Sequence, residues 1–460
     1  MSIEGSWLSL LPSLLAIAFA IATRRVILAL LGGVLLANGL YHSPDILGAA
    51  LGSVISLSTT LVDTTNLQIW AFTLAIGALF GVLERGGSFA HFVRALEKRQ
   101  LADSPRKARM FTWLLGVVVF IESNVSIMTS GTTSRPLYDR LGVSREKLAY
   151  IIDSTCAPIC ILIPLNAWGA FNLGLISAQD IANPLLTFAQ SLLFNFYAIL
   201  ALLLALWVAW SGWSFGPMRK ADARAVPQSL PEQQQAVSYN SGAARGVGLS
   251  LLSMIVMVPV MLWLTGGGSI VQGSGTTSVL TAVLLALTIA TLSSRLTLST
   301  SWSVLALAAL NGARRILPLA VILWLAMALG DMTRMLGTAD YITSLLDGSM
   351  PLWLLLPLIF ILSAITAFAI GSSWGTFAIM LPLAIPLALS LGLPPAPFIA
   401  AAISGGIFGD HSSPISDTTI IASLAAGTEH IDHVRTQLPY ALLAAFLTVI
   451  LYSLYGVMTF

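Results

Sequence analysis

The sequence predicts an all-α polytopic membrane protein with two inverted repeats, about ten transmembrane helices, two re-entrant hairpins and helices that break at the midplane. Three observations predict this fold class: the composition, the distribution of basic residues and a similarity between the two halves. Of the 460 residues, 57% are hydrophobic and 9% are charged, whereas soluble domains carry roughly 25% charged residues. The chain therefore needs a lipid bilayer as its partner, and we expect no nucleic-acid partner.

Apolar runs recur along the whole length of the chain. A helix needs ~17 to 25 apolar residues to cross a bilayer. Runs near or above this length lie at residues 7–23, 68–83, 186–210, 246–265, 315–333 and 438–458. The first run is followed by two arginines and not by a small-residue cleavage site, so we interpret it as a retained helix.

Basic residues predict the orientation, because Lys and Arg accumulate in cytoplasmic loops. The apolar segment 110–121 lies between two basic clusters, and a single crossing there would place the second cluster outside. A re-entrant hairpin with its tip near Glu122 to Ser126 keeps both clusters inside. In this topology only Arg334 of the 22 Lys and Arg residues lies outside. Residues 46–61 are treated as an external amphipathic segment.

The two halves resemble each other at an offset of 250 residues, which places Ser123 on Ser373. Farther along, the register is expected to slip by about six or seven residues, so that Asp153 corresponds to Asp410. Inverted repeats are typical of secondary transporters, whose binding sites form where helices break.

The predicted domains follow this repeat. Residues 1–212 form the first membrane repeat, 213–245 a cytoplasmic linker and 246–460 the second, inverted repeat. The stretch from Ala221 to Gly246 is rich in Gln, Ser, Ala and Pro, and a flexible connection is expected there.

A polar segment, GDHSSPISDTT, lies between two apolar runs near the C-terminal end. Asp410 and Asp417 would share a helix face, but Pro414 between them favours a break. Free carbonyls, carboxylates and hydroxyls would then converge, and hard cations prefer such oxygen ligands. An intramembrane carboxylate costs at least ~2.5 kcal/mol at a helix centre, so two in one motif indicate a binding site. The alternative is that these acids cap helices at a membrane surface. The candidate residues in this motif are Asp410, Ser412, Ser413, Asp417 and Thr418.

Three further segments are candidates for the same site. DSTCAPICILIPLNAWG indicates a second broken helix with one acid, and two small polar stretches interrupt the apolar runs of the hairpins. Hydroxyl and glycine residues at such tips let backbone amides approach an ion or an anionic group. The candidates are Asp153, Ser154, Thr155, Asn166, Trp168, Glu122, Ser123, Asn124, Ser372, Ser373, Trp374 and Thr376.

Several of these residues have a second interpretation. Asn166 and Trp168 also fit an ordinary interfacial pair, and the hairpin tip at Ser372 also fits a packing kink. Glu122 fits either a proton carrier or one partner of an ion pair with a cytoplasmic arginine. The only cysteines, Cys156 and Cys160, are four residues apart and are expected to pack in the interior.

The histidines and the other reactive residues do not indicate an enzyme. His430 and His433 lie near Glu429 and Asp432, at a predicted cytoplasmic turn where solvated side chains are expected. No nucleophile with a base, metal cluster or cofactor loop is found in the sequence. We therefore expect neither catalysis nor a cofactor.

Four motifs resemble one known family. GGIFGDHSSPISDTT with HIDHVRTQLPYAL, together with REKLAYIIDSTCAP and SSWGTF, is similar to the NhaC family of Na+/H+ antiporters within the ion transporter superfamily. The resemblance implies a multi-pass secondary transporter of the bacterial inner membrane, sodium and proton coupling, a homodimer and a mobile transport domain. It also implies ion-site residues at Asp410, Ser413, Asp417 and Thr418, with Asp153 and Ser373 close by. The expected Na+ ligands are Asp410, Ser413, Asp417 and Asp153. The sequence departs from the family at His411, where many members have Asn or Lys, and at the first hairpin tip, where relatives often have an acidic pair near an Asn.

The resulting hypothesis is that a proton and Na+ compete for the same carboxylates. Burial disfavours a bare carboxylate, so each acid would be neutralised by a proton or by Na+, and only the neutralised forms would cross easily. Two alternatives stay open. One is Na+- or H+-coupled transport of a small organic substrate such as a carboxylate or an amino acid, and the other is an ion channel.

Overall fold

The computed structural model describes residues 5–88, 91–92, 103–120, 122–227, 240–346 and 351–460, and over these ranges the chain is helical without strands. The first half contains α1 (Leu11–Thr23), α2 (Val26–Tyr41), α3 (Ile46–Val62), α4 (Thr64–Arg85), α5 (Pro105–Val118), α6 (Ser123–Leu141), α7 (Arg145–Leu162), α8 (Ala167–Ser177), α9 (Pro184–Leu193), α10 (Phe196–Ser211) and α11 (Pro217–Arg224). The second half contains α12 (Ser241–Thr265), α13 (Gly275–Leu298), α14 (Trp302–Met335), α15 (Thr338–Leu346), α16 (Leu355–Ile370), α17 (Ser373–Ser390), α18 (Pro395–Ser412), α19 (Asp417–Ala426) and α20 (His430–Thr459). Short 3₁₀ turns at Trp7–Leu10 and Leu352–Leu354 precede α1 and α16.

The described residues include seven helices that are long and apolar enough to cross a membrane, or up to nine if each bent pair is counted as one span. The bent pairs are α7 with α8, at 43°, and α9 with α10, at 45°. The helix predicted as an external amphipathic segment, α3, has 17 residues and is among the shorter apolar helices. The prediction of an all-α polytopic membrane fold is confirmed.

The helix boundaries show the internal repeat directly. α5, α6, α7 and α8 begin at Pro105, Ser123, Arg145 and Ala167, and α16, α17, α18 and α19 each begin 250 residues later. The expected slip after Gly142 is therefore wrong, because both breaks keep the offset of the hairpins. The residue equivalent to Asp410 is Cys160, so Asp153 and Asp410 are not repeat partners.

The two breaks share one local design. The first break, Ile163 to Asn166, and the second, Ser413 to Ser416, each have proline as their second residue and an N-cap residue as their last. Proline removes a backbone donor, which ends the hydrogen-bond ladder. Asn166 then starts α8 by accepting the Gly169 amide at 3.1 Å, because the first amides of a helix have no intrahelical acceptor.

Each hairpin tip packs against the break of its own repeat. In the first repeat, Asn166 Nδ2 donates to the Phe120 carbonyl at 3.1 Å. In the second, Ser413 Oγ donates to the Phe368 carbonyl at 2.8 Å. Gly371 turns the second tip with φ of 72°, a conformation that favours glycine. Contacts between tip and break therefore bring both interruptions of a repeat together.

Outside these hairpins, α4 and α14 cross at very short distance. A Cβ on Gly81 would lie 2.0 Å from the Ala308 carbonyl oxygen, and one on Gly312 would lie 2.1 Å from that of Gly77. Small residues permit such approach of membrane helices. Helices α12 and α13 pack beside this pair, while α14 also contacts α8 and α17. The crossing pair is therefore the surface against which the hairpins and broken helices lie.

The predicted linker is helical at both of its described ends. α11 continues to Arg224, and α12 begins at Ser241 with the Asn240 side chain accepting its first amides. Lys147 Nζ forms a 2.5 Å ion pair with Asp222 that fixes α11 to the start of α7. The middle of the linker, residues 228–239, lies outside the described residues.

Candidate ion-binding site

A cavity of about 690 Å³ lies between the α4–α14 pair and the two interruptions of each repeat. Four helix starts border it, those of α6, α8, α17 and α19. The polar residues that line it are Glu84, Arg85, Glu122, Asn124, Asn311, Arg315, Ser372 and Asp417. The topology expected from the basic residues has the Arg85 end of α4 on the cytoplasmic side, and it therefore predicts a cavity that opens toward the cytoplasm.

Asp410 lies behind the cavity in the last turn of α18 and is 3% exposed. Its Oδ2 accepts a 2.7 Å hydrogen bond from Ser373 Oγ at the second hairpin tip. Its Oδ1 has no hydrogen-bond partner. A buried polar atom without a partner is uncommon in a native protein. One carboxylate oxygen is therefore available to a cation or a proton.

Asp417 begins α19 on the other side of the break and is exposed to the cavity. Asp417 interacts with Asp410 and with the Asn124 side chain, so residues of both repeats meet here. Ser416 and Thr418 join their hydroxyls at 2.9 Å. Unlike Asn166, the N-cap Ser416 does not cap its own helix with its side chain. Two carboxylates and two hydroxyls that are hydrogen-bonded to each other therefore lie around one break.

Several predicted site hydroxyls are occupied by backbone contacts. Ser412 donates to the Phe408 carbonyl of its own helix, and Ser413 holds the hairpin as described above. Thr155 donates to Ile151 and Thr376 to the Ser372 carbonyl. These groups stabilise the helices and tips that surround the break, and in this conformation their hydrogens point away from the cavity.

The two hairpin tips present helix N-termini to the cavity. Glu122 caps α6 by accepting the amides of Asn124 at 3.1 Å and Val125 at 2.8 Å. Ser372 caps α17 by accepting from Gly375 at 3.5 Å, and Ser123 is buried behind the first tip. Among the residues that the structure describes, Glu122 forms no ion pair with an arginine in this conformation. The carboxylate instead neutralises the helix N-terminus.

Asn166 and Trp168 hold the first break. Asn166 Nδ2 contacts the carbonyls of Phe120, Cys160 and Ile163 at 3.1, 2.7 and 2.9 Å. Trp168 is buried and packs on Trp374, with ring centroids 5.1 Å apart. Because Trp374 lines the cavity, this pair forms an apolar wall between the two repeats.

Asp153 does not join the carboxylates at the second break. It is fully buried in the middle of α7, where its Oδ2 accepts from His433 Nε2 at 3.2 Å and from Gln437 Nε2 at 2.8 Å. The neighbouring Ser154 Oγ lies 3.0 Å from His411 Nε2. The structure therefore separates the predicted acids into a pair at the cavity and one in a closed polar cluster.

Both histidines of α20 differ from the prediction of solvated side chains. His433 is completely buried against Asp153, and His430 Nε2 lies 2.6 Å from the Pro414 carbonyl in the second break. The prediction of a solvated turn is wrong because α20 begins directly after α19 and packs along α7, α18 and α19. Cys156 and Cys160 are buried, unpaired thiols, as predicted.

Sequence reasoning missed the contribution of α4 and α14. Glu84 and Arg315 form a 3.1 Å ion pair at the cavity, although they are 231 positions apart. It also missed Gln437 and Tyr197, which complete the closed cluster. The spacing of Gly77 and Gly81 is a small-xxx-small pattern that could have indicated the close crossing.

Comparison with known proteins identifies the family. Residues 159–457 match the Na+/H+ antiporter family. The chain belongs to this family. An uncharacterised protein of Haemophilus influenzae is 32% identical over 97% of this chain and 90% of its own length. The family and the fold are those of a multi-pass membrane transporter rather than an enzyme.

Relatives with named activities match a shorter part of the chain. The Na+/H+ antiporter NhaC of Alkalihalophilus pseudofirmus is 32% identical over 23% of this chain and 23% of its own. The malate-2H+/Na+-lactate antiporter of Bacillus subtilis is 38% identical over 21% of each chain. The aligned stretch thus covers about a fifth of each of these two relatives and about a fifth of this chain.

Solved structures match the fold over almost the whole chain. MtrF of Neisseria gonorrhoeae, one of a class of antimetabolite efflux pumps, superposes with a TM-score of 0.63 at 12% identity, covering 94% of both chains. The YdaH transporter of Alcanivorax borkumensis gives a TM-score of 0.58 at 16% identity, covering 98% of this chain and 99% of its own. At these identities the likeness concerns the fold alone.

Proposed function

We propose that this secondary transporter exchanges Na+ for protons, with Asp410 and Asp417 as the carboxylates that take the ion. The observation that carries the proposal is the position of Asp410, a buried acid at a helix break whose second oxygen lacks a partner. Oxygen ligands from Asp417, Ser373 and Ser416 complete a set that suits a hard cation. Our proposal leaves Asp153 out of the cation ligands, because its carboxylate faces α20.

Exchange follows from the electrostatics of this site. A bare carboxylate in a low-dielectric interior is unfavourable, so a protonated acid releases its proton when Na+ arrives and recovers one when Na+ leaves. One positive charge replaces the other at the same oxygens. The loaded forms are closer to neutral than the empty form, and they are therefore the forms that can move across the membrane.

An elevator movement suits the division of the fold. The hairpins and broken helices carry the proposed ligands, while the α4–α14 pair forms the opposite wall of the cavity. In our proposal the hairpins and broken helices slide along the α4–α14 pair and expose the site to the other side of the membrane. A bacterial inner-membrane location and a homodimer stay predictions.

Proteoliposomes with an internal pH dye test the exchange. We expect an inward Na+ gradient to drive proton efflux with the wild-type protein, whereas Asp410→Asn abolishes this exchange and keeps its expression level. Ser363→Ala is the matched control, since Ser363 is buried in α16 without a hydrogen-bond partner. Wild-type exchange rates in Asp410→Asn would refute the assignment.

A second candidate function is supported by the size of the cavity. A volume of about 690 Å³ lies in the range of small-molecule pockets, roughly 300–1,000 Å³, and far exceeds what one sodium ion occupies. The B. subtilis relative is named as an antiporter of malate and lactate. Accumulation of labelled dicarboxylate or amino acid that requires a Na+ or proton gradient would favour this alternative over ion exchange.

A further inference from the structure

The closed polar cluster around Asp153 contains more ionisable groups than the proposed exchange uses. Asp153 contacts His433 and Gln437 from α20, while His411 from α18 bonds Ser154 and the Tyr197 hydroxyl. His411 Nδ1 lies 2.7 Å from Tyr197 OH. All of these side chains are at most 3% exposed. The cluster is thus a membrane-buried network that neither the cavity nor the second break includes.

The charge of the Asp153–His433 pair depends on a single proton. When the imidazole carries a proton on both nitrogens and the carboxylate is ionised, the pair is neutral overall. When one of these protons is lost, the pair carries one buried negative charge. The other ionisable groups that interact with the pair are Cys156 from α7, His411 from α18, Tyr197 from α10 and Asp417 from α19. None of these groups is a permanent cation, so loss of the proton leaves a negative charge on the pair that is favourable only when a cation binds nearby.

Three polar atoms of Asp153, His433 and the neighbouring Gln437 lack hydrogen-bond partners. Asp153 Oδ1, His433 Nδ1 and Gln437 Oε1 are buried and make no hydrogen bond. A purely structural network normally satisfies its polar groups. The unpartnered carboxylate oxygen of Asp153 and the unpartnered ring nitrogen of His433 instead provide positions at which a proton can bind and dissociate.

A second cavity, apart from the ion cavity, lies near the pair. It has a volume of about 550 Å³ and is lined by Asp139, Arg145, Glu146, Glu429 and Asp432, among others. The His433 amide donates to the carbonyl of Glu429 at 3.0 Å, so His433 lies one helical turn along α20 from a residue that lines this cavity. The topology expected from the basic residues has this cavity on the cytoplasmic side.

One side chain connects the pair to the cation carboxylate. Gln437 Nε2 donates both to Asp153 Oδ2 at 2.8 Å and to the His411 carbonyl at 2.6 Å. His411 directly follows Asp410 in the last turn of α18. A change of charge on the pair therefore acts on the backbone that carries the cation ligand.

We propose that the Asp153–His433 pair is a second proton-binding site, separate from Asp410 and Asp417, which releases its proton when the cation binds. This inference rests on the proposed Na+/H+ exchange and adds one proton to each cycle. The pair is loaded from the cytoplasmic-side cavity, and Gln437 couples it to the cation site.

The proton-to-sodium ratio tests the proposal. In proteoliposomes with a clamped membrane potential, the pH gradient that stops net flux against a set Na+ gradient gives this ratio. We expect His433→Gln, which keeps a donor but cannot take a proton, to exchange one proton fewer per cycle than wild type. His42→Gln, the same change outside the cluster, keeps the wild-type ratio. An active His433→Gln protein with the wild-type ratio would overturn the proposal.

A direct proton count covers variants that do not transport. Saturating NaCl is added to purified protein in weakly buffered detergent, and the protons released per molecule are measured. His433→Gln and Asp153→Asn should each release one proton fewer than wild type, and an unchanged count would again overturn the inference. If the proposed Na+/H+ exchange itself is wrong, the result differs from this unchanged count, because the wild-type protein would then show no Na+-driven proton movement. That result would overturn both.

Discussion

Replacing Ser373 by alanine tests the cation site without removing a carboxylate. Ser373 Oγ makes a 2.7 Å hydrogen bond to Asp410 Oδ2, and both residues are buried. The change deletes one hydroxyl at the hairpin tip. Alanine is a better helix former than serine, so α17 should start as before.

The expected magnitude follows from the kind of hydrogen bond that is lost. A hydrogen bond to a charged group contributes about 1.5–3 kcal/mol, and each 1.4 kcal/mol is about tenfold in affinity. Asp410 Oδ1 has no partner that could compensate. We therefore expect the Na+ concentration for half-maximal exchange to rise roughly 10- to 150-fold in Ser373→Ala.

The assay is Na+-dependent quenching of a pH dye in proteoliposomes, measured over a range of Na+ concentrations. Ser363→Ala, a buried serine of α16 without a hydrogen-bond partner, serves as the matched control and should keep the wild-type value. If Ser373→Ala shows the same Na+ dependence as this control, Asp410 does not bind the transported cation through this arrangement.

Two further predictions concern stability and can be followed by thermal unfolding of the purified protein. Gly81→Ala places a Cβ 2.0 Å from a backbone carbonyl oxygen of α14, so overpacking should cost about 1–3 kcal/mol. Gly32→Ala, with nothing within 4 Å, should not destabilise, and equal melting temperatures for the two would contradict the close crossing. Lys147→Met leaves Asp222 without its cationic partner and should cost about 1–3 kcal/mol, less than a fully buried pair because Asp222 is partly exposed. Lys107→Met, at an exposed pair, should leave the melting temperature close to that of the wild type, and similar losses in both variants would show that α11 is not fixed by this contact.

The breaks and hairpins could be predicted because they depend on local chemistry. Proline, glycine and hydroxyl residues interrupt the apolar runs. Irregular backbone at membrane depth occurs only where it is buried in protein or lines a cavity, so these interruptions indicated breaks and hairpin tips. Basic residues on both sides of segment 110–121 required a hairpin there. The offset of 250 residues was visible in the sequence, and the helix starts of both halves follow it.

The equivalence of Asp153 and Asp410 could not be judged from residue types. Asp153 and Asp410 are each followed by a proline, which suggested that the register between the two halves shifts. In the structure, Pro164 and Pro414 are equivalent at the unshifted offset of 250 residues. The partner of Asp153 is His433, 280 positions away. Such pairs arise from the packing of α7 on α20, and a single sequence carries no signal for this contact.

The central claim is that a cation binds at the second break, at the carboxylates of Asp410 and Asp417. Binding of radiolabelled sodium to the purified protein measures this without transport. The wild-type protein should bind sodium saturably, protons should compete, and Asp410→Asn and Asp417→Asn should each lose most of this binding, while Ser363→Ala retains it. Undiminished sodium binding by both aspartate variants would contradict the claim.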